Sequence, residues 1–385
     1  MTGLLPYGRQ SVTDDDIAAV VAALRSDWLT TGPEVAAFEA ELSGWAGGAG
    51  VATVTSGTAA LHVAYAAAGV GPGDEVVVPP MTFVATASSA VALGARVVFA
   101  DVEEETFTLD PAALAAAVTD RTRVVAAVDY AGHPADYDAL RTALAGSDAL
   151  LLADAAHSIG AAYRGRPVGS LADLTSFSFF PTKNLTTAEG GAVATGDPQL
   201  LDRARRFRNI GLVRDRDQQR WPDEGGWHQE VHSFGLNYRL ADVLCALGRS
   251  QLRRLGDFLA RRAELVARYD EALADLPGVL APGRRDWASP AWHLYPIRVL
   301  DGRRREVYDR MRAAGIGVQV NYLPAHWHPA FADLGYRRGS CPVAETFYAQ
   351  QLSLPLYPGL RDADQERVID ALVAALRGLA VRPAA

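Results

Sequence analysis

Residues 150–161 read LLLADAAHSIGA, a short apolar run with an aspartate at position 154 and a histidine three residues later. The run is nearly continuous rather than alternating. That is the pattern of a strand covered on both faces, as strands of parallel sheets are. Working outward, DEVVVPP (74–80), ARVVFADV (95–102) and TRVVAAVDY (122–130) repeat it, and Ala- and Leu-rich amphipathic segments separate these runs between residue 50 and about 195. Such alternation predicts parallel strands joined by crossover helices, hence an α/β fold built on a large, mostly parallel sheet.

A sheet of this kind places its ligand beyond the carboxyl ends of its strands. That rule selects Phe83, Asp129, Tyr130 and the stretch from Asp154 to His157. Between 197 and 235 the text turns to charged and aromatic residues with Gly and Pro, and reads as a long functional loop. From 239 to about 275, apolar residues at i, i+3, i+4 spacing predict one long helix or two in succession, with Asn237 and Arg239 at its opening. Residues 276–290 break it. Beyond them a strand at 293–300, a helix at 304–315, a strand at 317–323 and a helix from about 362 predict a smaller C-terminal α/β domain. The expected division is 1–250, including the N-terminal segment, and 251–385.

At 385 residues the chain is long enough for two domains and a large core. Its net charge of -8 lacks the basic face that phosphate-backbone binding needs, so nucleic acid is excluded as a partner. The two cysteines, Cys245 and Cys341, are far apart and indicate neither a disulfide framework nor a zinc site. A reducing cytoplasm is the expected location. No targeting segment or apolar run of about 18 residues or more is present, so no membrane association is expected.

Lys183, in FPTKNLTTAEGG (180–191), is the only lysine in a chain with 36 arginines. Where a positive charge suffices, arginine supplies it. Lysine alone can lose its proton in a buried site and attack a carbonyl to form a Schiff base. Three further features join it. In VTSGTAALHVAYAAAG (54–69), Ser56, Gly57 and Thr58 lead a strand end into a helix whose N-terminus suits a phosphate. Asp154 ends a buried strand, where a carboxylate needs a cation such as a protonated pyridine nitrogen. Phe83, in PPMTFVATA (79–87), offers a flat apolar wall, and Ser178 lies five residues before Lys183. Amine, acid, phosphate cradle and wall are the parts that pyridoxal 5'-phosphate chemistry requires. Their order along the chain is that of fold type I pyridoxal phosphate enzymes, the aspartate aminotransferase-like transferases.

The stretches SGTAALH, PPMTFVATA, VDYAGHPADYDAL, DAAHSIGA, SFSFFPTKN, TTAEGGAV and NYRLADVLCALGRSQL, in this order, resemble the DegT/DnrJ/EryC1/StrS nucleotide-sugar aminotransferases. The resemblance runs from residue 28 to residue 360 and is nearest to the C4 transaminases of UDP-4-keto sugars, those of 4-amino-4-deoxy-arabinose and pseudaminic acid synthesis. It implies an enzyme that uses pyridoxal 5'-phosphate to move an amino group from L-glutamate to the C4 keto group of a nucleotide-activated, UDP-linked 4-keto-6-deoxy sugar. A dTDP-keto sugar or keto-cyclitol of antibiotic synthesis is the alternative acceptor.

The resemblance also assigns roles. Lys183 is the Schiff-base lysine and proton carrier, Asp154 the partner of the ring nitrogen, and His157, where many members have glutamine, lies near the ring's phenolic oxygen. Ser56, Gly57, Thr58 and Ser178 hold the phosphate, Phe83 stacks on the ring, and Asn237 reaches across from the second subunit of a homodimer. Thr31, Arg239, Tyr322 and His326 line the substrate site. Two departures stand out: Phe180 occupies a position that is often histidine, and the loop 212–232 differs between members. Relatives that dehydrate at C3 carry histidine in place of the lysine, so Lys183 argues against that activity. The HWH at 326–328 lacks a nearby third ligand, and no metal is expected.

Overall fold

The computed structural model describes residues 3–377. Its centre is a seven-stranded sheet of β1 (Gly50–Val54), β2 (Glu75–Val78), β3 (Arg96–Phe99), β4 (Thr122–Val128), β5 (Leu150–Asp154), β6 (Leu174–Ser178) and β7 (Gly191–Thr195). The order is β1-β7-β6-β5-β4-β2-β3. Only β7 runs against its neighbours, pairing antiparallel with both β1 and β6. The continuous apolar runs have the expected cause. Val125, Ala127, Leu151 and Ala153 face one hydrophobic cluster, whereas Val124, Ala126 and Leu152 from the same strands face another.

The register matters for function. Val128 of β4 lies opposite Asp154 of β5, and Asp154 opposite Ser176 of β6, so three carboxyl ends finish side by side. β1 feeds the helix Gly57–Ala67, capped by Ser56 and lined with small residues that lie flat on the sheet.

A second, three-stranded antiparallel sheet joins Val279–Leu280, Tyr295–Val299 and Gln351–Leu354. With the helices Leu255–Leu273, Arg304–Ala313 and Asp362–Arg377 it encloses a third cluster around Tyr269, Tyr295, Ile297, Val307, Leu352 and Val368. Among the described residues, Leu5 is the one member of this cluster from outside residues 251–385. The N-terminal segment is therefore anchored against the C-terminal sheet, with its Leu5 N–H donating to the Gly315 carbonyl at 2.9 Å.

Three local expectations change, and one open alternative, one long helix or two over 239–275, resolves to two. The segment 197–235 is not all loop: Pro198–Phe207 is a helix with Asp197 as its cap, and the remainder folds over a short ribbon of Leu212–Val213 and Glu230–Val231. The 239–275 pattern divides into Asp242–Leu252 and Leu255–Leu273. Asn237 and Arg239 precede these helices in extended backbone, each in a single bridge, to Asn209 and Val54. Residues 317–323 form no strand. Gln351–Leu354 takes the sheet position beside Tyr295–Val299, and Gln319 makes only one bridge, to Ser353.

Candidate active site

Beyond the carboxyl ends of β4, β5 and β6 lies a cavity of about 460 Å³ that includes Lys183, Asp154, His157 and Tyr322 in its wall. Asp154 is buried where β5 ends. Its Oδ2 accepts from the Thr86 hydroxyl at 2.6 Å and its Oδ1 from the Ala156 N–H at 3.2 Å. Burial pushes its pKa up, while these hydrogen bonds and the nearby Lys183 ammonium pull the other way. A carboxylate so placed is built to face a cation. Lys183 is reached by a turn after β6 in which its N–H donates to the Phe180 carbonyl at 2.9 Å. Burial lowers its amine to about 8, with Asp154 acting in opposition.

His157 sits on the turn after β5, and both of its ring nitrogens are engaged. The Ala131 N–H donates to Nδ1 at 3.2 Å, and Nε2 lies 3.1 Å from the Tyr322 hydroxyl. Burial, then the charge of Lys183, pushes the imidazole well below its ordinary pKa, so it is neutral. The His293 ring lies against it with centroids 4.5 Å apart.

At another wall of the same cavity the helix Gly57–Ala67 begins. Ser56 Oγ accepts from the Ala59 N–H at 3.1 Å, and Gly57 and Thr58 form the cavity wall together with Ser178. The N–H groups of a helix's first turn lack intrahelical partners and, with the helix dipole, attract an anion. Glycine is required at position 57 by close approach: a Cβ there would stand 2.7 Å from Ser178 Cβ and 2.8 Å from its Oγ. Phe83 is 56% exposed, its ring edge-on to Tyr322 at 5.8 Å, and so presents an apolar face to the cavity. A basic amine, a buried acid, an anion cradle and an aromatic wall fit pyridoxal phosphate. Gly57 and Ser178, packed too closely for any added side chain, are the observation on which that fit rests.

The other sequence candidates lie elsewhere in this chain. Thr31 and Arg239 border a second cavity of about 820 Å³, shared with Arg205, Arg208 and Arg214. There Arg239 donates to Asn209 Oδ1 at 2.8 Å. Asn237 is exposed and lies outside the Lys183 cavity. His326 does not line it either. Its side chain is fully buried, with Nε2 2.9 Å from Glu345 Oε1 and its ring against Phe99 at 5.5 Å, because a half-satisfied imidazole is more stable paired with a carboxylate in the core than free. Phe180, the departure from the histidine pattern, borders the cavity as an apolar residue.

Sequence reasoning missed several neighbours of the site. Thr82 and Thr86 flank Phe83 at i, i+4 spacing and bond to each other at 2.7 Å, a pattern that the PPMTFVATA stretch displays openly. Tyr7 and His293 carried no local signal, being brought in by the N-terminal segment and by the stretch leading into the strand Tyr295–Val299. Among the described residues no helix is long and apolar enough to cross a membrane, and no cluster suited to a metal ion is found.

The model of the DegT/DnrJ/EryC1/StrS aminotransferase family matches residues 10–373. The erythromycin biosynthesis sensory transduction protein EryC1 of Saccharopolyspora erythraea is 40% identical over 354 residues, 91% of this chain and 92% of its own. Spr1654 of Streptococcus pneumoniae in its PMP form superimposes with a TM-score of 0.91 at 30% identity, covering 97% of this chain and 99% of that one. PseC of Helicobacter pylori, an aminotransferase of pseudaminic acid biosynthesis, gives 0.91 at 27% identity, with 98% and 100% covered.

Proposed function

Because the chain belongs to the DegT/DnrJ/EryC1/StrS aminotransferase family and is a sugar aminotransferase, we propose that it transfers an amino group from L-glutamate to the C4 keto group of a UDP-linked 4-keto-6-deoxy sugar, with pyridoxal phosphate held in the Lys183 cavity. The observation that carries this reading is Lys183 and Asp154 in one cavity, an amine lowered to about 8 beside a buried carboxylate. The likeness to PseC, an aminotransferase of pseudaminic acid biosynthesis, supports a sugar acceptor, and the likeness to a protein solved in its PMP form supports the cofactor.

Bound there, pyridoxal phosphate supplies an aldehyde that accepts amino groups and a ring that stabilises negative charge on the carbon losing its proton. The chain's residues do the rest. Asp154 accepts a hydrogen bond from the ring nitrogen and keeps that nitrogen protonated. Ser56, Gly57, Thr58 and Ser178 hold the phosphate, and Phe83 covers the ring. Lys183, displaced once the donor's amine takes its place, would take the proton from the donor's α-carbon in one half-reaction and supply one to the sugar's C4 in the other. A pKa of about 8 suits both duties near neutral pH.

Asn237 and Arg239, outside the Lys183 cavity of their own chain, are proposed to complete the cavity of a second copy in a homodimer. Two buried free thiols, Cys245 and Cys341, fit a reducing cytoplasm. A second reading, a dTDP-keto sugar or keto-cyclitol of antibiotic synthesis, is favoured by the 40% identity with EryC1. Assay of UDP- and dTDP-linked keto sugars with L-glutamate tests both readings. Transfer to a UDP-4-keto sugar supports the first, transfer restricted to dTDP-sugars or cyclitols selects the second, and transfer to none of them removes both.

A further inference from the structure

The backbone N–H of Ala131 points at His157 Nδ1 from 3.2 Å. A backbone N–H can only donate, so Nδ1 accepts and the ring's single proton resides on Nε2. Nε2 lies 3.1 Å from the Tyr322 oxygen and therefore donates to it. A phenolic oxygen that accepts from Nε2 keeps its own proton for another partner. Tyr322 lines the cavity, so that proton is available to a ligand bound there.

We propose that Tyr322 is a hydrogen-bond donor to the keto oxygen of the sugar, its polarity fixed from the backbone of Ala131 through His157. The proposal rests on the sugar-aminotransferase reading. Tyr322 shares the cavity with Lys183, where the reacting carbon must sit, and its ring is held edge-on by Phe83 at 5.8 Å. A donor aimed at a carbonyl oxygen draws electrons from the carbon that the amine attacks and holds the negative charge that grows on oxygen as the C–N bond forms. The proton stays on Tyr322. Burial, above the charges of Tyr7 and Asp154, pushes its phenol well up from the ordinary value, which favours a donor over an acid. His157 is a positioning residue here, since both of its nitrogens are occupied before any substrate arrives.

The test separates the two half-reactions of Tyr322→Phe holoenzyme by stopped-flow absorbance. Amino uptake from L-glutamate and the resting visible spectrum should match the wild type, whereas amino delivery to the keto sugar should slow ~10²-fold, the usual consequence of losing one such donor. His157→Leu should slow the same half-reaction, His157→Gln should restore it because an amide N–H can replace Nε2–H, and His157→Leu/Tyr322→Phe should be no slower than Tyr322→Phe alone. A shifted resting spectrum in Tyr322→Phe overturns the proposal, because the hydroxyl then serves the cofactor's phenolic oxygen. Equal slowing of both half-reactions, or sugar delivery within about twofold of wild type, overturns it as well while leaving the aminotransferase reading intact. A wild-type protein that takes up amino groups yet delivers them to no UDP- or dTDP-linked keto sugar brings down both.

Discussion

The Thr86 hydroxyl donates to Asp154 Oδ2 at 2.6 Å and, having one proton, accepts from Thr82 at 2.7 Å. Two threonines that frame Phe83 thus support the ionised form of an aspartate 68 positions later, against the effect of burial. A hydrogen bond to a charged group is worth roughly 1.5–3 kcal/mol. Thr86→Val removes it and leaves burial free to raise the carboxyl further. Since protonated Asp154 cannot hold a pyridinium, the variant should bind pyridoxal phosphate ~10- to 100-fold more weakly, and Thr86→Ser should recover most of the loss. Equilibrium titration of the apoprotein gives the answer, and equal dissociation constants for wild type and Thr86→Val would remove the threonine pair from the site.

Lys183 makes two measurable demands. In the apoprotein burial holds its amine at about 8, against 10.5 in the unfolded chain. The unfolded state therefore binds more protons between these values, and folding is penalised below about 8, with the penalty relieved as pH rises from 8 to 10.5. Apo Lys183→Met should be more stable than apo wild type by ~1–3 kcal/mol at pH 7, and this margin should close above pH 10. Denaturant melts at the two pH values measure it, and a constant margin would place the amine in water. Lys183→Arg should fold and yet lose at least ~10³-fold in amino transfer, because guanidinium neither forms a Schiff base nor sheds its proton. Wild-type turnover in that variant would disprove the assignment.

The sheet was legible because strands covered on both faces need unbroken apolar runs, and Leu150–Asp154 has one. The site was legible because such sheets bind at strand ends, where Asp154 and the helix from Gly57 lie. Contacts made by distant segments were not legible. Nothing near Asp154 announces Thr86, and nothing near His326 announces Glu345, so a histidine that looked available for substrate is buried with its Nε2 bonded to a glutamate. The 317–323 and 351–354 stretches are both strand-like, and the choice between them depends on which one reaches Tyr295–Val299. One missed element did carry a signal. Asp197 followed by Pro198 is a helix start, with the aspartate accepting from the Gln199 N–H at 2.7 Å, but an arginine-rich sequence concealed it.

Gly57 tests the anion cradle without touching a charge. Ala at this position places a Cβ 2.7 Å from Ser178 Cβ, closer than packed atoms stand. Ser178 ends β6 and borders Phe179 of the core, so the helix start must give way instead. Overpacking of this kind costs roughly 1–3 kcal/mol, and here it displaces the first-turn N–H groups from the phosphate. Gly57→Ala should bind inorganic phosphate and pyridoxal phosphate at least ~10-fold more weakly while pyridoxal, which has no phosphate, binds as before. If calorimetry finds all three ligands weakened alike, the glycine supports the fold and not the cradle.

Glu230 governs the loop after Val213. Its carboxylate accepts from the N–H groups of Arg220 and Trp221, each at 2.7 Å, from His228 Nε2 at 3.1 Å and from His232. Burial works to raise its pKa, and the bonds from Arg220, His232, Trp221 and His228 together outweigh that, leaving it at about 2 against 4.5 for a free glutamate. A depressed carboxyl stabilises above its unfolded pKa and ceases to do so as pH falls through the folded one. The loop should hold its shape down to about pH 4 and open between there and pH 2. Trp221 and Trp227 lie within it, 58% and 83% exposed, and their fluorescence should change over that window. Glu230→Gln should show the opened signal already at pH 7, together with several-fold faster proteolytic cleavage between Arg214 and Arg220, since an amide cannot accept from four donors as a carboxylate does. A Glu230→Gln loop as protease-resistant as the wild type at pH 7 would mean that backbone packing, not this carboxylate, shapes the segment beside Arg239.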